Sequence, residues 1–127
     1  MTEEIIETYK RDLQDVLLRW KEALEQSHNS DMARDSAILR FELAFEVSWK
    51  LIQRLARHEG YEVNSPRQAF RQAFTLGWID DEEIWDDILR DRNAAIHVYR
   101  KEFAEKLAGR LPDYYAAILH LLERISQ

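Results

Sequence analysis

An arginine, an asparagine, a histidine and a tyrosine fall within eight consecutive positions, RNAAIHVY, Arg92 to Tyr99, with Arg90, Arg100 and Lys101 close on either side. Histidine titrates near neutral pH and serves as general base or acid. Arginine stays charged and makes forked contacts with phosphate, so it can offset charge building on a phosphorane. There is no cysteine, which excludes disulfides, thiolate metal sites and a Cys nucleophile. The four histidines, His28, His58, His97 and His120, show no HExxH-type spacing, and neither a metal nor a cofactor is expected. Without a metal, phosphodiester cleavage needs an internal nucleophile. RNA carries one in its 2′-hydroxyl and DNA does not, so an Arg–His pair acting alone points to RNA and a 2′,3′-cyclic phosphate.

Projected on a regular helix at about 100° per residue, Asn93 and His97 share a face, where the amide can orient the imidazole. Arg92 and Tyr99 share another face. Arg92 and His97 diverge by about 140°. Either the helix ends or bends near His97, or a second copy of the segment contributes across a two-fold interface. A plainer reading stands beside this one. A histidine near a helix end is ordinarily a capping or surface residue. Arg90, Arg92, Arg100 and Lys101 can simply pair with Asp86, Asp87, Asp91 and Glu102 on a solvated face.

The elements that must position this segment read as helices. The chain has 127 residues, 46% hydrophobic and 33% charged, with three Gly and two Pro. That length and mixture suit one helical-bundle domain over residues 1–127 and argue against a turn-rich β fold. Between about Glu3 and His28, Ile5, Ile6, Tyr9, Leu13, Val16, Leu17, Trp20 and Leu24 recur at three- and four-residue steps, one stripe of a long helix. Ser30, Asp31 or Asp35 caps the next, which carries Ile38, Phe41, Phe45, Val47, Trp49, Ile52 and Leu55 and should be the most buried. Gly60 ends it. On this helix Glu42, Glu46 and Lys50 stand at four-residue steps and read as ordinary surface pairing. The four tryptophans read as core.

Ser65 and Pro66 read as N-cap and first position of a short third helix that ends at Gly77. Asp80 with Glu83 suggests a capping box for a fourth, running from about Asp81 into the RNAAIHVY segment. From about Lys101 to Ser126 the chain is helical again, but Gly109 and Pro112 predict a kink or two separate helices.

The net charge is −6, whereas a broad nucleic-acid surface is usually basic. Any RNA contact should therefore be local or made through a partner. The longest uncharged run, YYAAILHLL, is too short to cross a bilayer and MTEEIIETYKR is not a signal peptide, so a cytoplasmic protein without a membrane partner is expected.

RNAAIHVY also fits the RxxxxHxY pattern, and here the chain resembles the HEPN superfamily in its HepT-like branch, whose members are often labelled nucleotidyltransferase substrate-binding proteins. FELAFEVSWKLIQRL, SPRQAFRQAFTLGWID and IWDDILRDRNAAIHVY follow the order and spacing of that branch, covering most of Phe41 to Tyr99. The resemblance implies an all-α, antiparallel up-and-down bundle of about five helices working as a homodimer, with the motif segments facing across a cleft. It implies catalytic roles for Arg92 and His97, a supporting role for Asn93, and AMP addition at Tyr99 by a partner nucleotidyltransferase antitoxin. Arg90, Arg100 and Lys101 would then contact RNA. The function implied is a metal-independent endoribonuclease toxin silenced at Tyr99. The alternative is a non-catalytic subunit that presents substrate to the nucleotidyltransferase.

Overall fold

A computed structural model describes residues 2–127 and shows five α-helices: α1 (Thr2–Gln26), α2 (Asp31–His58), α3 (Pro66–Thr75), α4 (Glu82–Ala94) and α5 (Lys101–Ile125). A 3₁₀ turn, Ala95–His97, joins α4 to α5. Among the described residues there is no strand, and no helix is long and apolar enough to cross a membrane.

Helix α2 forms the centre, touching α1, α3, α4 and α5. Its buried face, with Ile38, Phe41, Phe45, Leu51 and Ile52, meets Leu13, Leu17 and Trp20 of α1 and Leu107, Leu111, Ile118 and Leu121 of α5 in one continuous core. Aromatic rings knit these layers: Trp20 lies against Phe41 and Tyr115, and Phe70 bridges Phe45 and Trp85. Burying each such side chain stabilises the fold by about 1.5–3 kcal/mol. Two tryptophans, Trp20 and Trp85, are buried, and Trp49 and Trp78 are partly buried and packed against the core.

Three of the helix starts are capped by side chains. Ser30 accepts from the Ala33 N–H at 3.0 Å, so it is Ser30 rather than Asp31 or Asp35 that caps α2. Ser65 accepts from the Gln68 N–H ahead of Pro66. The start of α4 differs from the expected capping box: Asp81, not Asp80, accepts from the Ile84 N–H at 3.2 Å. Adjacent aspartates offer equivalent caps locally. Ile79 is buried, and Asp80 instead forms a 3.3 Å ion pair with Arg124 of α5.

Gly60 and Gly77 close α2 and α3 with φ of 92° and 80°, a region costly for side chains with a Cβ. Gln53, buried on α2, donates to the Val63 carbonyl at 2.8 Å and so folds the connection back under α3.

Helix α5 runs unbroken through Gly109 and Pro112, where two helices were an alternative. Both residues are exposed, while Ala104, Leu107, Leu111, Tyr114, Ile118 and Leu121 keep one buried stripe in register across the proline. The interior proline costs about 3 kcal/mol. Core packing along that stripe outweighs it.

Candidate functional site

The sequence-predicted residues gather where α4 ends and α5 begins. Nothing in the sequence AAIHVY forbids a helix, yet α4 stops at Ala94 and tightens into the 3₁₀ turn. Ala95 is buried, the Val98 N–H bonds back to the Ala95 carbonyl at 3.1 Å, and the Arg100 N–H bonds to the His97 carbonyl at 2.9 Å. Arg100 is extended, with φ −85° and ψ 114°, and launches α5 in the new direction. The helix therefore does end before His97.

This ending leaves Arg92 and His97 without a hydrogen bond to each other. A 3₁₀ turn advances about 120° per residue, which leaves the two side chains about 160° apart. It also removes the four-residue register expected to align Asn93 with His97. Among the described residues no side-chain hydrogen bond joins any two of Arg92, Asn93 and His97.

Arg92 turns instead toward α2. Its Nη2 donates to Oε1 of Glu46 at 2.7 Å, and its guanidinium lies 5.3 Å from the centre of the Phe45 ring. Glu46 is held in turn: Oε2 accepts from Trp49 Nε1 at 3.2 Å and lies 3.9 Å from Lys50 Nζ. The expected Glu46–Lys50 pairing is present but is the weaker partnership. Glu46 is thus a partner of Arg92 that the sequence pattern did not reveal. No local signal links positions 46 residues apart on different helices.

Of the other cations, Arg90 pairs with Asp87 at 3.0 Å, as the plainer reading expected. Glu102 pairs with Lys106 at 3.2 Å and not with Arg100 or Lys101. Among the described residues those two form no ion pair. His97 and Tyr99 are exposed, Tyr99 by 72%, with ring centres 6.1 Å apart in an edge-on arrangement. The Arg100 guanidinium stands 5.5 Å from the centre of the Tyr99 ring.

Beneath this surface Asp91, next to Arg92, is buried. It accepts from Arg110 Nε at 2.7 Å and Nη2 at 3.2 Å, and from the Tyr114 hydroxyl. Burial first, then the hydrogen bond and the negative charge of Asp91, raise the pKa of the Tyr114 hydroxyl above the usual tyrosine range, against a smaller lowering effect of Arg110. The hydrogen bond to Asp91 likewise raises the pKa of the Arg110 guanidinium. Among the described residues no three His, Asp or Glu side chains converge as metal ligands.

The family described as nucleotidyltransferase substrate binding protein like matches the chain over residues 7–127, and the chain belongs to it. No curated protein matches the chain. A crystal structure from Thermus thermophilus is similar at 32% identity with a TM-score of 0.86, covering 91% of this chain and 99% of that one. A Haemophilus influenzae protein, whose structure is described as revealing the fold of a substrate binding domain of a nucleotidyltransferase, is 21% identical with a TM-score of 0.72. The match covers 98% of both chains. At that identity the likeness is one of fold.

Proposed function

We propose that this family member acts in the cytoplasm as the substrate-binding partner of a nucleotidyltransferase, a single bundle domain whose α4–α5 turn faces that enzyme. The family match over residues 7–127 carries this reading. The order of the two sequence-based readings is therefore reversed, with the partner subunit first and the ribonuclease second.

One observation favours the second reading, a metal-independent endoribonuclease silenced by AMP on Tyr99. His97 and Tyr99 are both exposed, and Arg100 stands over the Tyr99 ring. A nucleotidyl group on Tyr99 would occupy the space beside His97 and compete with an RNA backbone for Arg100 and Lys101. Under this reading Arg92 and His97 act across a homodimer, one from each copy, with Asn93 in support.

A single experiment separates the two. The purified chain is incubated with single-stranded RNA in EDTA, and separately sedimented with its nucleotidyltransferase. A stable complex and intact RNA are the outcome for a partner subunit. RNA cleavage to cyclic-phosphate ends that His97→Ala abolishes would overturn that reading in favour of the ribonuclease.

A further inference from the structure

We infer that Glu46 is a positioning residue for Arg92: it fixes the guanidinium so that its remaining N–H donors are available to a phosphate group. Two contacts define the guanidinium. Glu46 Oε1 takes one donor at 2.7 Å, the Phe45 ring supports the group at 5.3 Å, and Phe45 is itself buried against Phe70. Glu46 is anchored before it reaches Arg92, because Trp49 and Lys50 hold its other oxygen. Arginine has five N–H donors. Glu46 takes one of them, and among the described residues no other hydrogen bond engages Arg92, whose side chain is 38% exposed.

The ion pair joins two helices. Here the carboxylate lies nearer to Arg92 on α4 than to Lys50 four residues along its own helix. Glu42, one turn earlier on α2, forms no ion pair among the described residues and serves as the control. The arrangement has a distinctive consequence. The charge of Glu46 weakens the general attraction of Arg92 for anions, while its hydrogen bond sets the direction in which Arg92 can receive one. Removing it should tighten loose phosphate binding and disorder the arginine together.

The test uses the full ¹⁵N-labelled chain and inorganic phosphate, following the Arg92 Nε resonance. Phosphate should shift that resonance at about threefold lower concentration in Glu46→Gln than in the parent, the scale of a partly exposed ion pair. In Glu46→Ala the resonance should acquire the mobility of a free arginine. Glu42→Gln should do neither. Arg92 as ordered in Glu46→Ala as in the parent, or Glu42→Gln matching Glu46→Gln, overturns the inference. The turnover arm alone rests on the ribonuclease reading: Glu46→Ala should lower kcat about tenfold or more with KM unchanged or lower. An unchanged kcat overturns the positioning role. If the parent cleaves no RNA, that reading fails, and the phosphate and mobility measurements still decide the role of Glu46.

Discussion

Asp91 and Arg110, nineteen residues apart on neighbouring helices, form a two-point ion pair with distances of 2.7 and 3.2 Å. The pair ties the last turn of α4, one residue before Arg92, to the middle of α5. Its halves are not equivalent, since the Asp91 side chain is 3% exposed and that of Arg110 39%.

Loss of Arg110 leaves a buried carboxylate held only by the Tyr114 hydroxyl and, at 3.6 Å, by Arg90, whereas loss of the Asp91 charge leaves a cation that reaches water. Arg110→Ala should therefore destabilise the protein by about 3 kcal/mol, and Asp91→Asn by distinctly less. Urea unfolding at neutral pH gives both values. Equal costs for the two substitutions would count against the asymmetry.

The Tyr114 hydroxyl donates to Asp91, and its folded-state pKa lies above that of an unfolded tyrosine. In alkali the unfolded chain releases this proton first, so the unfolded state binds fewer protons and stability falls as pH rises. The contribution is whole below about pH 10 and is lost progressively above it. Tyr114→Phe should be about 1 kcal/mol less stable than the parent at pH 8. Between there and strongly alkaline solution it should lose less than the parent does, as read from urea midpoints at each pH. Parallel losses would remove Tyr114 as the titrating group.

Pro112 occupies the interior of α5 on its exposed side. Pro112→Ala restores a backbone donor and removes a clash without disturbing the core. Thermal unfolding should show a gain of roughly 1 kcal/mol or more, a part of the full helix-interior penalty of about 3. A lower melting temperature would mean that the proline is needed where it stands.

Tyr99 offers a hydroxyl on an exposed ring between His97 and Arg100. Under the ribonuclease reading, incubation with the nucleotidyltransferase and ATP should raise the mass of the protein by whole AMP units, and Tyr99→Phe should take up none. Equal labelling of Tyr99→Phe would place the acceptor elsewhere and end the case for modification at this residue.

The helices themselves were legible in the sequence because their determinants are local. Ser30 and Ser65 can cap, Gly60 and Gly77 can take positive φ, and apolar residues recur at the helical period. Each is a property of a few neighbouring residues. Where local options were degenerate, the folded structure shows the choice: Asp81 caps α4 while Asp80 pairs with Arg124, and one helix runs through Pro112 along a single buried stripe. The candidate site was half legible. RNAAIHVY marks itself by composition, but its departure from a regular helix depends on burying Ala95 and redirecting the chain into α5. The pairing of Arg92 with Glu46 joins residues 46 positions apart on two helices. Spacing along one helix predicts which neighbours a side chain can meet. Only the packing of α4 against α2 decides which one Arg92 takes.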